Sequence, residues 1–404
     1  MGIVERPWSG PADRDIIDSF LHKALLLFHA PEDWSAPRFV AAGLLVLAGS
    51  GLIWRLVSGS VEIAALATVT IAAFVLVDAL LFALLPQFRF SYGPWRAQLT
   101  VLLTARTLVG LTAAFLALVL GDRAGLLLNL TIQLAGLAAL LWGTLVEPLR
   151  LAVTELNVSS RQVPQDAEPI RILHISDLHI ERAGRREARL QELVARIPVD
   201  LIVLTGDYLN LSYTRDARAR EEARGFLQQL QAPHGVYAVL GSPPVDERDI
   251  APTLFEGTSV RLLFNEVVDV DLGSRGALTL VGLDCTHRME ADAAQLTTQL
   301  ERLAVASNPR LLLYHGPDLM PAAVQEGIDL YLCGHTHGGQ VRLPGYGALL
   351  TSSQLGKRYE MGHYHERNTH LYVSRGVGFE GLSAPRVRLF SPPEITLVKL
   401  HSTD

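Results

Sequence analysis

Cysteine is nearly absent from this chain. Only Cys285 and Cys333 occur in 404 residues, without a Cys-x-x-Cys spacing, so a disulfide framework and a cysteine-based zinc knuckle are both excluded. That usage fits a reducing compartment and is equally met in periplasmic proteins. A basic excess is lacking too. The formal net charge is -6 and the isoelectric point lies near 6.1, which argues against a nucleic-acid binder. Charge of either sign is scarce before residue 150. There the apolar excess behind a mean hydropathy of +0.25 is concentrated, while the remainder mixes charged and apolar segments like a globular domain.

Residues 39–57, 61–85, 98–120 and 126–147 are runs long enough, or nearly so, to cross the roughly 30 Å hydrocarbon core of a bilayer as helices. Pro86, Gly93 and Pro94 break the chain between the second and third, and Gly121-Asp122 opens the turn before the fourth. The first run begins too far along the chain for a cleaved signal peptide. An even number of spans puts both ends of the bundle on one side. Lys23, Arg38, Arg89, Arg96, Arg150 and Arg161 share that side, against Arg55 and Arg123 on the other. The expectation is an inner-membrane protein whose following domain is cytoplasmic. Within 1–38, the segment 16–29 has Ile16, Ile17, Phe20, Leu21, Ala24, Leu25 and Phe28 at helical spacing, which reads as a helix lying in the interface or packed on the bundle.

Two ionisable residues sit inside the runs. Asp78 precedes Pro86 by eight residues and Arg106 follows Ala97 by nine. At about 1.5 Å per residue both lie roughly 12–14 Å from the same side. A lone charge in hydrocarbon is costly and a partner at matching depth relieves it, so the two are expected to pair and clamp the helical hairpin.

Residues 151–169, with Pro164, Asp166 and Pro169, read as a linker, and 170–404 as the second domain. Ile170–Ser176 is a β-rich run ending at Asp177-Leu178-His179. A helical pattern follows at Leu190, Leu193, Val194 and Ile197, and then an apolar strand delivers Asp207. Strand, helix, strand implies a parallel unit, whose ligands gather outside the carboxyl ends of the strands. Downstream, Arg310–Tyr314 ends at His315, and Ile328–Cys333 ends at Gly334-His335-Thr336-His337-Gly338-Gly339-Gln340. Four strands thus terminate in Asp or His. Carboxylate and imidazole suit divalent Mn, Fe, Zn or Ni. Two such ions sharing a carboxylate would activate a water for attack on phosphorus.

The ordered set Asp177-x-His179, Gly206-Asp207, His315 and Gly334-His335-Thr336-His337 resembles the calcineurin-like metallophosphoesterase superfamily. Its GHTHGGQ form, followed by Val-Arg-Leu-Pro344, is similar to the membrane-associated bacterial branch. That branch includes UDP-2,3-diacylglucosamine pyrophosphatase-like and lipid-directed phosphodiesterases. The resemblance covers about 170–400, including Tyr372–Gly378 and Pro393-Glu394-Ile395. It implies a four-layer α/β/β/α sandwich behind the four-helix transmembrane region. It also implies one metal on Asp177, His179 and His337, a bridging Asp207, and a second metal on His315 and His335. Asp207 and His315 would then belong to the catalytic apparatus of a phosphodiesterase or pyrophosphatase acting on a phosphate ester, with a lipid-linked one suggested by the anchor.

One departure stands out. After Gly235–Leu240 the family places Gly-Asn-His, whereas this chain has Gly241-Ser242-Pro243. Proline offers neither donor nor acid. Three readings stay open: Ser242 or a water completes the second site; Asp246 or Asp249 replaces the missing ligand; or the second site is weak and the protein is a catalytically impaired membrane sensor of a metal or phosphate ligand. Retention of the other six ligands favours an enzyme, with Ser242 in the catalytic set. Of the remaining residues, His174 is expected to pack inside its strand. His287, His363, His365 and Arg375 are candidates for substrate contact, and 215–224 for a solvent-facing helix.

Overall fold

The computed structural model describes residues 20–90, 93–303 and 308–403. Helix α1 (Phe20–His29) lies against the third of four long helices, α2 (Ala36–Ser58), α3 (Val61–Leu84), α4 (Trp95–Leu120) and α5 (Asp122–Leu141). Ile16 and Ile17 of the expected amphipathic segment fall outside the described residues. Each of the four helices, taken with its short terminal turns, is long and apolar enough to cross a membrane. Their boundaries follow local chemistry. Gly59 closes α2 in the left-handed region at φ 69°, and its N–H reaches Arg55 O at 3.1 Å. The Ser60 side chain then caps α3 by accepting from Ile63 N–H.

Small residues let the bundle close. Gly125 abuts Ala113 and Ala117, and Gly110 abuts Ile71. The large apolar residues point the other way, with Leu45, Val69 and Val119 exposed by 73%, 65% and 85%. Asp78 and Arg106 pair as expected, Arg106 Nη2 donating to Asp78 Oδ1 at 2.6 Å and Nε to Oδ2. Gln133 on α5 completes the guanidinium's shell at 2.9 Å.

The second half is built from two six-stranded sheets. Strand β1 (Ala152–Ser160) opens it, followed by β2 (Ile170–Ile175), α6 (Arg185–Arg196), β3 (Leu201–Thr205), α7 (Ala217–Leu227), β4 (Val236–Val239) and β5 (Val260–Leu262). Next come β6 (Glu266–Asp271), β7 (Ala277–Gly282), α8 (Met289–Glu301), β8 (Arg310–Leu313), α9 (Met320–Gln325) and β9 (Leu330–Cys333). A small hairpin, β10 (Arg342–Leu343) and β11 (Gly347–Ala348), precedes β12 (Gly362–Glu366), β13 (Thr369–Val373) and β14 (Glu394–Ser402). The sheet orders are β1-β14-β2-β3-β4-β5 and β12-β13-β9-β8-β7-β6.

Ile172, Leu201 and Val203 of one sheet meet Leu280, Leu311 and Leu332 of the other in a shared core. Helices α6 and α7 cover the outer face of the first sheet, and α8 and α9 that of the second. This is the α/β/β/α sandwich. One boundary needs correction. The expected linker contributes β1, which runs parallel to β14 along the sheet edge. Its buried residues Leu156, Val158 and Ser160 alternate with exposed ones, a period-2 signal that the neighbouring prolines obscured. Helix α7 is also more than a solvated face, since Ala219, Ala223, Phe226 and Leu227 are buried.

Candidate metal centre

The central strands of both sheets run parallel, and their carboxyl ends converge on one rim. The loops leaving β2, β3, β4, β8 and β9 meet there. They interlock through main-chain bonds, Asp177 N–H to Gly206 O and His179 N–H to Asp207 O at 3.0 Å each, and Gly334 N–H to His315 O at 2.8 Å. Five of the six expected ligands hold the left-handed backbone region: Asp177 (φ 53°), His179 (43°), Asp207 (57°), His335 (70°) and His337 (52°). Non-glycine residues pay about 1–3 kcal/mol each for such conformations, which persist where surrounding structure forces them. Two glycines allow the loops to close. A Cβ at Gly334 would overlap Asp177 and Ser176, and one at Gly241 would overlap Asp207.

The six side chains form two buried sets, Asp177, His179 and His337, and Asp207, His315 and His335, each with ligand atoms within 4.8 Å of one another. Asp207 Oδ2 lies between the sets, 3.6 Å from His179 Nε2 and 3.3 Å from His315 Nε2. Its Oδ1 accepts from Ser242 N–H at 2.7 Å. The imidazoles are oriented through their second nitrogens. His315 Nδ1 faces Thr205 O at 2.7 Å, His335 Nε2 faces Ser352 O at 3.0 Å, and His179 Nδ1 faces Glu380 Oε2 at 2.9 Å. In each case the nitrogen left over points into the centre, the arrangement that aims an imidazole at a metal. Oxygen and imidazole donors at this spacing fit first-row divalent ions.

Charge inside the centre is divided unevenly. Burial works to raise the Asp177 and Asp207 carboxyls, but the neighbouring imidazoles outweigh it and hold both well below the usual range. Burial would depress His315, yet the Asp207 carboxylate lifts it to about 9. His335 goes the other way, kept neutral by burial and by repulsion from His315 and His287.

Ser242 stands with the second set, its Oγ 3.1 Å from His315 Nε2 and 3.5 Å from His335 Nδ1. The Asp246 alternative does not hold. Its carboxylate turns away from the centre and accepts from the N–H groups of Asp207, Gly241 and Tyr208 at 2.8, 2.7 and 3.0 Å. Asp249 is 70% exposed and faces Arg215. Pro243 adds no polar group.

His287 is drawn to the wall of the second set, its ring 4.9 Å from that of His335 and 7% exposed. His174 packs inside β2 against Thr205 Oγ1 at 2.8 Å, and burial pushes its imidazole down to about 4. His363 and His365 lie on the edge strand β12, stacked on His370 away from the centre. Arg375 is engaged by Glu394. Glu380, and the buried Arg388 with Nη2 3.4 Å from His337 Nδ1, escaped the sequence reading. Both come from the irregular segment between β13 and β14, where no motif or periodicity marks them.

Comparison with known proteins identifies the family of the second half. The calcineurin-like phosphoesterase superfamily domain matches residues 170–350. The phosphodiesterase YaeI of Escherichia coli is 30% identical over 239 residues, covering 58% of this chain and 83% of that protein. The uncharacterized metallophosphoesterase YkuE of Bacillus subtilis is 28% identical over 264 residues, covering 64% and 88% respectively. The UDP-2,3-diacylglucosamine pyrophosphatase LpxG of Chlamydia muridarum is 24% identical over 322 residues, covering 64% and 92%.

Proposed function

The chain belongs to the calcineurin-like phosphoesterase superfamily, and from that premise we propose that it is a membrane-anchored phosphohydrolase working with two divalent ions on a phosphodiester or diphosphate carried by a lipid. The observation that carries the two-ion reading is the position of Asp207 Oδ2 between the two ligand sets. Asp177, His179 and His337 would hold one ion and His315 and His335 the other, with Asp207 shared and Ser242 Oγ at the edge of the second. Bound there, the ions supply a water of lowered pKa and offset the charge of the phosphoryl oxygens.

The chain's own groups do the positioning. Thr205 O, Ser352 O and Glu380 fix the imidazole rings, and Ser242 N–H fixes the bridging carboxylate. His287 stands where it can meet the substrate beside the second set.

The membrane part of the reading is supported by the inverted bundle, with small residues inside and large apolar ones outside. The placement of basic residues near the helix ends supports a cytoplasmic catalytic domain in the inner membrane. A lipid-linked substrate is supported by that anchor and by the diacylated substrate named for LpxG, and phosphodiester hydrolysis by the activity named for YaeI. A catalytically impaired sensor is favoured by one feature alone, the Ser242-Pro243 replacement.

Hydrolysis of bis-p-nitrophenyl phosphate by the Mn-loaded full chain tests the choice. Turnover lost in a chelator, restored by Mn and abolished by Asp207→Ala is expected. No turnover with Mn, Fe, Zn or Ni would leave the sensor.

A further inference from the structure

Beyond the metal motif the chain forms the hairpin β10–β11, whose apolar side chains face outward. Tyr346 and Leu350 are 61% and 59% exposed, and Leu343 and Leu349 49% and 46%. Phe390 adds a fifth at 60%, and shares one shallow concavity with Leu343 and Tyr346. Single apolar residues are ordinary on a surface, whereas a contiguous group marks a contact. Phe390 also holds the left-handed region at φ 57°. For a bulky side chain that conformation costs about 1–3 kcal/mol, and the ring it positions stays exposed.

The patch lies beside the end of the helix bundle. Phe390 is flanked by residues bonded to that end: Arg388 N–H donates to Gly143 O at 3.0 Å, and Ser391 N–H to Glu147 Oε1 at 2.5 Å. Leu389 pairs with the hairpin, its N–H donating to Gln340 O at 2.8 Å and its carbonyl accepting from Arg342 N–H at 2.9 Å. Bundle end, Leu389 segment and hairpin are thus consecutive neighbours. The bundle end carries Trp142, 44% exposed, with the Arg150 guanidinium 6.0 Å over its ring. Aromatic and basic residues gather at the level of lipid headgroups, so this end marks the bilayer surface. The hairpin repeats the pairing, with Lys357 Nζ 3.6 Å over the Tyr346 ring. Its charge has a sign as well. Arg342 and Lys357 share the Glu360 carboxylate at 2.9 and 3.3 Å, which leaves a positive excess suited to anionic lipid.

We propose that this patch, the β10–β11 hairpin with Phe390, seats in the bilayer surface as a second membrane contact beside the bundle. The proposal rests on the membrane-anchored reading and goes beyond it. The bundle anchors the sandwich, and the hairpin fixes the tilt of the sandwich on the lipid. The hairpin leaves from the loop carrying His335 and His337 and returns to Ser352, whose carbonyl faces His335 Nε2. The tilt it sets is that of the metal centre.

The test places a nitrobenzoxadiazole probe on single introduced cysteines of the full chain. The chain is reconstituted in nanodiscs of phosphatidylcholine and phosphatidylglycerol, with and without lipid carrying a doxyl quencher near the headgroup. Cys285 and Cys333 are buried and stay unlabelled. Leu80→Cys, on the exposed side of α3, and Asp249→Cys, exposed on the sandwich, set the two limits. Interfacial apolar groups sit about 5–10 Å into the headgroup boundary, so probes at Leu343→Cys and Leu350→Cys should be quenched at least about half as much as Leu80→Cys. Thermal melting of each labelled chain checks its folding, and two hairpin sites keep the test open if one variant misfolds. Quenching at both sites no greater than at Asp249→Cys would overturn the proposal. So would blue-shifted emission without quenching, the mark of a second copy covering the patch. An unquenched Leu80→Cys probe would instead contradict the membrane reading, so the two ideas fail separately.

Discussion

The N–H of Ser391 donates to Glu147 Oε1 at 2.5 Å, across the boundary between the helix bundle and the sandwich. Glu147 follows the last long helix, is 2% exposed, and also accepts from Trp142 Nε1 at 2.8 Å. Ser391 Oγ in turn donates to His337 O at 2.7 Å. One turn earlier, Gly143 O accepts from Arg388 N–H at 3.0 Å. The bundle is therefore hydrogen-bonded to the segment that supports the His337 main chain.

Glu147→Ala should loosen His337. Supporting bonds around metal ligands are worth roughly 10–100-fold in metal affinity, and an indirect one should fall near the lower figure. Cobalt titration followed by visible absorption is expected to show one ion weakened by about tenfold, the set without His337 being less affected. Two unaltered affinities would reduce the contact to packing.

Asp78→Asn should destabilise the bundle strongly. It leaves the buried Arg106 guanidinium without its anion, and breaking a buried pair from one side costs about 3–5 kcal/mol. Asp78→Leu with Arg106→Met removes both charges and should recover most of that loss. Melting in detergent micelles checks the order: single variant lowest, double variant near wild type.

Asp246→Ala should damage the centre without removing a ligand. The N–H groups of Asp207, Gly241 and Tyr208 would lose their shared acceptor. Each unpaired buried group costs about 1–3 kcal/mol, so a clear drop in melting temperature and weaker metal binding are expected together. A variant with normal stability would mean that these amides find water instead.

The metal-free protein should lose stability as pH rises. Asp207 holds the His315 imidazole up at about 9. A raised folded-state pKa contributes fully below the unfolded value of about 6.5, and that contribution fades as pH climbs through the folded value. Chelator-treated protein should therefore melt progressively lower between about pH 6.5 and 9, while Mn-loaded protein, whose ligands have already given up their protons, should not. Scanning calorimetry across that range checks the sign.

Much of this centre was legible because the chemistry sits at strand ends. Asp177, Asp207, His315 and His335 each follow an apolar β run, so the topology alone brings them to one rim. Asp78 and Arg106 were legible through depth, since helical rise converts sequence position into height. What the sequence concealed depends on tertiary approach. Glu380 and Arg388 come from an irregular segment without periodicity, and Glu147 meets Ser391 only after the bundle docks. Asp246 misled for a related reason: a carboxylate near a metal loop serves equally well as a clamp on the backbone. The left-handed conformation of five ligands left no trace in residue type, because none of them is glycine.

The shared position of Asp207 is the core of the account, and paramagnetic resonance of the Mn-loaded full chain addresses it most directly. Two ions bridged by one carboxylate should give an exchange-coupled Mn signal at two ions per chain, lost in Asp207→Ala. A six-line spectrum of isolated Mn, or a single ion per chain at saturation, would contradict it.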